Sequence, residues 1–317
     1  MTEPLAPASI SLRLYPHDLA PREVVTELMA QARVTEAAGF DGVMTSEHHA
    51  GFPNYLPNPL LAATWALEAT EHIWAAASPM LLPLRNVNQI IEDYGWTSHR
   101  FPGRVGAGFA AGALRDDFDL SGVPFEEMVP RFKEALPKVV AGLRGEPEGL
   151  LAADPGVQAL REHPVPVVSA AQSPAAGRRA AALGIGLLYD SLVSVERAAE
   201  ISRVHREGGG DGARILIRRV WLGEPPADAV AVQMERFRDA ASASTQRHWG
   251  EGDSIVASTD AAEVAEGLAA LVASTGSDAL NLRVFHAGIS PAQARSQIER
   301  IGLEVLPLLR AMLAAQG

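Results

Sequence analysis

Glu47-His48-His49 places one carboxylate and two imidazoles in adjacent positions. Histidine titrates near neutral pH, so either ring can take or give a proton during turnover. A neighbouring carboxylate can orient a ring and raise its basicity, and Glu47 is expected to do this for His48. In extended backbone, adjacent side chains point to opposite sides. At most one of the two histidines therefore faces a pocket directly. The plainer alternative is that both bond loop backbone and only shape a rim. A metal site is disfavoured, because the spaced histidine pair of a zinc helix and a nearby third ligand are both missing.

A second constellation is Ala171-Gln172-Ser173-Pro174, which joins an expected strand to an expected helix. A helix N-terminus offers free N–H groups and the positive end of its dipole to an anion. Ser173 adds a hydroxyl, and Pro174 suits the first helical turn. Arg178 and Arg179 follow about one turn later. A plain serine N-cap is the alternative. Gly106-Ala107-Gly108-Phe109-Ala110-Ala111 matches the dinucleotide pattern G-x-G-x-x-A in form. A Rossmann site also needs a helix opening at once and an acidic residue about 20 positions on. Here a loop continues through Arg115-Asp116-Asp117-Phe118, so that reading is rejected. The glycines instead let backbone approach a flat ring.

These groups need a scaffold, and the chain supplies an alternation. Strand-like runs are expected at 10–15, 40–45, 73–82, 104–108, 165–170, 185–189, 213–222 and 279–285, each followed by a helical pattern. Such alternation argues for a parallel sheet of βα units. Eight units in 317 residues is the size of an α/β fold of the (β/α)8 TIM barrel type, rather than an open doubly wound sheet. An insertion over 223–252, with one extra helix, precedes the seventh barrel helix. No linker divides the chain, so one domain over 1–317 is expected. In such barrels the chemistry sits at the C-terminal ends of the strands. That rule selects Tyr15 and His17, Glu47 to His49, Met80 and Leu82, Gly108 and Phe109, Ala171 to Ser173, Tyr189 and Asp190, Trp221, Phe285 and His286. The set is mostly apolar or aromatic, which suits a planar organic cofactor.

Composition narrows the class further. Hydrophobic residues make up 47% and charged residues 21%, an ordinary globular balance. The chain has 0 cysteines, which excludes disulfides and a thiolate nucleophile and is compatible with a reducing cytoplasm. The first residues carry no basic and then apolar stretch, so no signal peptide is read and a cytoplasmic protein is expected. No apolar run approaches the roughly 20 residues of a membrane span. A net charge of −11 disfavours nucleic acid as a partner. Trp65 and Trp96 fall on the second and third expected helices, where exposed aromatics would mark a dimer face.

Several motifs together resemble one family. Gly39-Phe40-Asp41-Gly42-Val43-Met44-Thr45-Ser46-Glu47-His48-His49 is similar to a strand and loop of the bacterial luciferase α-subunit and related monooxygenases. Asn58-Pro59-Leu60-Leu61-Ala62-Ala63 looks like the family's second-helix opening. Leu81-Leu82-Pro83 looks like the end of its third strand, where the family often has a cis peptide. Glu92-Asp93, Gly103-Arg104 and the stretch from Ser258-Thr259-Asp260 to Arg310 keep its order. The resemblance implies a luciferase-like barrel and a flavin-dependent monooxygenase. Such an enzyme takes reduced FMN from a separate flavin reductase and uses dioxygen to oxygenate a small organic substrate. It implies His48 as the pocket base and Ala171, Gln172 and Ser173 as the FMN phosphate segment. Tyr15, Met80, Gly108 and Phe109 would border the ring or substrate. Two positions depart from the pattern: Phe109 stands at the family's phosphate-binding arginine and Ala176 at its threonine. Arg178 or Arg179 would have to substitute. The departures leave open a deazaflavin coenzyme and hydride transfer on the same barrel. A non-catalytic flavin-binding protein or partner subunit is a further alternative. A homodimer through the second and third helices is the family expectation.

Overall fold

The computed structural model describes residues 2–226 and 255–316, with a few isolated positions between them. Among the described residues nine strands run in chain order: β1 Ile10–Arg13, β2 Gly42–Thr45, β3 Trp74–Leu81, β4 Val105–Ala110, β5 Val167–Ala170, β6 Gly186–Tyr189, β7 Arg214–Leu222, β8 Val256–Ser258 and β9 Ala279–Arg283. Strands β1 to β7 each pair in parallel with the next, β7 pairs with β9, and β9 returns to β1 at Ser11↔Asn281. Eight strands thus close a ring. The ninth, β8, is a short strand on the outer half of β7, with Val220 opposite Val256. It falls in the stretch read from the sequence as a connection. The extra helix expected within 223–252 lies outside the described residues.

Both faces of each ring strand are covered, so alternate residues are apolar on either side. Met44, Trp74, Ala76, Val168, Leu188, Ile215, Ile217 and Ala279 fill the barrel interior. Leu12, Val43, Ala75, Val105, Leu187, Leu216 and Leu280 belong to the larger core beneath the helices. Size is matched across the interior. A Cβ on Gly42 would stand 2.1 Å from the Trp74 ring, so only glycine fits there.

The helices of the described residues are α1 Pro21–Ala37, α2 Pro59–Ala69, α3 Val87–Arg100, α4 Arg115–Ser121, α5 Met128–Leu143, α6 Pro155–Gln158, α7 Pro174–Ala182, α8 Val195–Glu207, α9 Ala261–Thr275, α10 Pro291–Arg300 and α11 Leu306–Gln316. Most begin where a short polar residue satisfies a first-turn amide. Asn58 accepts from Leu61 N at 3.1 Å, Ser173 from Ala176 N at 3.3 Å and Ser194 from Arg197 N at 3.2 Å. Two details differ from the sequence reading. The stretch after β4 is not all loop but contains α4. A cis peptide bond lies at Ser78–Pro79, inside β3 and before Leu81-Leu82-Pro83.

Candidate active site

A cavity of about 540 Å³ opens at the C-terminal ends of the ring strands. That size falls within the range of small-molecule and cofactor sites, roughly 300 to 1,000 Å³. Tyr15, Glu47, His48, Ala171, Gln172 and Ser173 line it.

His48 sits just beyond β2, and its Nδ1 lies 2.9 Å from Asp117 Oδ2. Asp117 is 1% exposed and is carried by α4. Its other oxygen accepts from the His49 backbone N–H at 2.7 Å. A carboxylate only accepts, so Nδ1 of His48 carries the proton and donates it. With Nδ1 committed to Asp117, Nε2 is the ring atom left for the cavity. Phe52 and Tyr55 pack on the ring at centroid distances of 4.9 and 4.5 Å, which limits its rotation.

Glu47 does something other than the sequence implied. It is 1% exposed and does not hold His48. Its Oε1 pairs with His49 Nε2 at 2.6 Å and with Arg85 at 2.8 Å. Its Oε2 accepts from Leu81 N at 2.8 Å. Glu47 therefore ties the end of β2 to the end of β3, and the His48 partner is Asp117. His49, held by Glu47, does not line the cavity.

Four other expected contacts do not line the cavity. Phe109 falls between inward-facing Gly108 and Ala110, so it points out to the helix layer and meets Tyr94 at 6.3 Å. Met80 also lies in the outer core, and Leu81 beyond it faces the cavity instead. Gly108 does face inward, but its missing side chain makes room for Ser78: a Cβ would stand 2.0 Å from Ser78 Oγ. Arg178 is exposed on the outer face of α7. Arg179 takes its place, because it follows Ala175 and Ala176 by four and three residues and shares their cavity-facing side.

The α7 end of the cavity suits an anion. Ser173, Ala175, Arg179 and Lys133 line it together. Pro174 has no N–H, so the first-turn amides begin at Ala175. Arg179 stacks over Phe132 at 5.4 Å, and its Nε is buried without a hydrogen-bond partner among the described residues. Burial pulls its pKa down. That orphaned donor beside a helix N-terminus fits a cofactor phosphate, and nothing in the donor set opposes it.

His17 and His286 stand off the cavity wall. His17 Nδ1 meets Ile289 O at 3.2 Å. His286 is 0% exposed and lies against Trp221 at 5.7 Å. Burial, with Arg219 and Arg283 nearby, drives its pKa down to about 3, so the ring is neutral at pH 7. Three cavity residues absent from the sequence reading are Arg13, Arg219 and Arg283. β7 alone carries Arg214, Arg218 and Arg219, so charge within a strand did not by itself say which side faced the cavity. Asp117 left no such signal, since it meets His48 across 69 residues.

A family model described as luciferase-like monooxygenase matches residues 9–303. The alkanal monooxygenase alpha chain of Photorhabdus laumondii is 26% identical over 218 residues, 63% of this chain and 59% of that one. An F420-dependent glucose-6-phosphate dehydrogenase of Beutenbergia cavernae is 30% identical over 186 residues, 54% of this chain and 53% of that one. The matched segments thus span less than two thirds of either relative. Among solved structures, a type II Baeyer–Villiger monooxygenase from Pseudomonas putida in complex with FMN superposes with a TM-score of 0.72. It is 17% identical and the match covers 95% of this chain and 98% of that one. The closed parallel ring, the cavity at its C-terminal rim and the family match agree, and the chain belongs to the luciferase-like monooxygenase family.

Proposed function

We propose that the chain is a flavin-dependent monooxygenase that oxygenates a small organic substrate with dioxygen, using reduced FMN from a separate reductase. One observation carries this reading: the Asp117–His48 pair presents a free imidazole nitrogen to a cavity whose α7 end is built for a phosphate. Ser173, the Ala175 amide, Lys133 and Arg179 would hold that phosphate. Tyr15, Tyr55 and Leu81 would border the ring and substrate and exclude water. Bound reduced flavin supplies the electrons that activate dioxygen. The chain's own contribution is to position both molecules and to move a proton at His48 Nε2. A homodimer through α2 and α3 and a cytoplasmic location belong to the same proposal.

Deazaflavin-dependent hydride transfer is the second reading. It is favoured by Phe109 and Ala176, which replace the two phosphate ligands expected of an FMN enzyme, and the family includes F420-dependent members. Titrating the purified chain with FMN, reduced FMN and a deazaflavin coenzyme separates the two. Reduced FMN is expected to bind, with Arg179→Gln weakening it about tenfold. Binding of the deazaflavin alone sinks the monooxygenase reading. Binding of reduced FMN without oxygen consumption on any substrate favours a non-catalytic flavin binder.

A further inference from the structure

The wall opposite α7 is also cationic. Arg13 on β1, Arg283 on β9 and Arg219 on β7 line the cavity and are 3%, 3% and 1% exposed. Their strands are neighbours in the ring, and β5, which leads into α7, lies four strands from β1 in either direction. Register puts the three at one level. Arg219 is directly opposite Arg283, and the pairing Leu12↔Leu282 carries Arg13 to the same height. A buried cation is costly unless it is paired, and Arg13 is such a cation.

The cavity's acids do not neutralise Arg13. Its Nε donates to Asn281 at 2.8 Å and a terminal nitrogen points to Met44 Sδ at 3.9 Å. Among the described residues no carboxylate pairs with it. Glu47 is engaged by Arg85, His49 and Leu81. Asp190 Oδ1 accepts from Leu192 N at 2.9 Å and acts on Arg13 only through its field. Burial lowers the Arg13 pKa, and Arg283 adds to the effect. Arg283 stacks on Tyr15 at 4.4 Å, which fixes the guanidinium beside the cavity. Around the row stand Tyr15, Tyr55, Leu188 and Ile217, which suit an apolar body.

We propose that this row binds a carboxylate on the organic substrate, so that the substrate is a small carboxylic acid anion with an apolar body. The proposal rests on the reading of the cavity as a flavin and substrate site. A planar carboxylate matches the guanidinium fork with two parallel hydrogen bonds. It also pairs the buried charge of Arg13. The α7 end, on the other side, is left to the cofactor phosphate.

The test uses the flavin-free chain and calorimetry with two matched pairs: phenylacetate against phenylacetamide, and octanoate against octanamide. Each carboxylate is expected to bind at least about tenfold more tightly than its amide. Arg13→Gln and Arg283→Gln should each remove most of that preference while leaving amide affinity unchanged. Arg179→Gln should leave it intact. Equal affinities within each pair, or no binding of either carboxylate at millimolar concentration, overturn the proposal. So does a preference that survives both Arg13→Gln and Arg283→Gln. If Arg13→Gln instead weakens reduced FMN and spares the carboxylates, the row serves the flavin ring and the proposal fails. Failure of the cofactor reading would appear separately, as absent flavin binding in the unaltered chain.

Discussion

An imidazole becomes a directed proton acceptor when one nitrogen is committed and the other is not. Asp117 commits Nδ1 of His48, so the chemistry of the pair depends on a residue 69 positions away. Asp117→Asn offers an amide that can donate to Nδ1 and so present Nε2–H to the cavity, the wrong tautomer. Turnover is expected to fall about 10²-fold, as for His48→Ala, with the fold retained on circular dichroism. Glu47→Gln should lower stability through its lost pair with Arg85, yet leave His48 and most of kcat in place. A kcat loss in Glu47→Gln equal to that in Asp117→Asn would restore Glu47 as the orienting group. His286 gives a second prediction. Its folded pKa of about 3 lies below the ordinary 6.5, so between those values the unfolded chain takes up a proton that the folded chain refuses. Stability therefore falls as pH drops below about 6.5, by about 2 kcal/mol at pH 5 from this ring alone. His286→Gln should flatten the urea-unfolding profile between pH 7 and pH 5. An unchanged slope would show that the ring is not desolvated as the packing requires. Residue identity made His48 visible in the sequence, but hydrogen-bond partners are tertiary facts. Glu47 is adjacent to His48 in the chain and still bonds His49, because alternate residues share a side.

Strands decide which side of the sheet a residue faces, and here a shift of one position moved several assignments. Placing Phe109 and Met80 at strand ends was correct, and placing them on the cavity was not. Phe109 is out of phase with its inward neighbours Gly108 and Ala110. Met80 follows the cis bond at Ser78–Pro79 and lies in the outer core. The phase of β7 was hidden for the same reason, since Arg218 and Arg219 are adjacent charges that alternation sends to opposite faces, and only Arg219 lines the cavity. Helix α4 was hidden by its polar, seven-residue sequence, and with it the position of Asp117. Gly108 tests the element view. Its inward Cα packs on Ser78, so Gly108→Ala should destabilise the barrel by roughly 1 to 3 kcal/mol through overpacking. Urea unfolding measures that loss. A variant with full stability and weakened flavin binding would return Gly108 to the ring contact expected from the sequence.

The ring of eight strands was the most legible feature of the molecule, because each βα unit repeats the same pattern and only closure needs coordinates. Association between molecules is a different matter, since a surface residue carries no period that names its partner. Two side chains nevertheless stand out. Trp96 on α3 is 55% exposed and Leu61 on α2 is 46% exposed. The two helices are tied to each other by Arg100 and Glu68 at 3.0 Å, so the apolar groups belong to one side of the barrel. Covering side chains of this size contributes about 1.5 to 3 kcal/mol each when burial is complete. A self-complementary contact would place both copies of α2 and α3 together and repeat each burial twice. Sedimentation at micromolar concentration is then expected to give a dimer. Trp96→Glu combined with Leu61→Glu should give a monomer with the same circular dichroism and nearly the same thermal midpoint, since neither side chain supports the core. A monomeric parent chain would remove the dimer from this proposal. A double variant that stays dimeric would move the interface to another face of the ring.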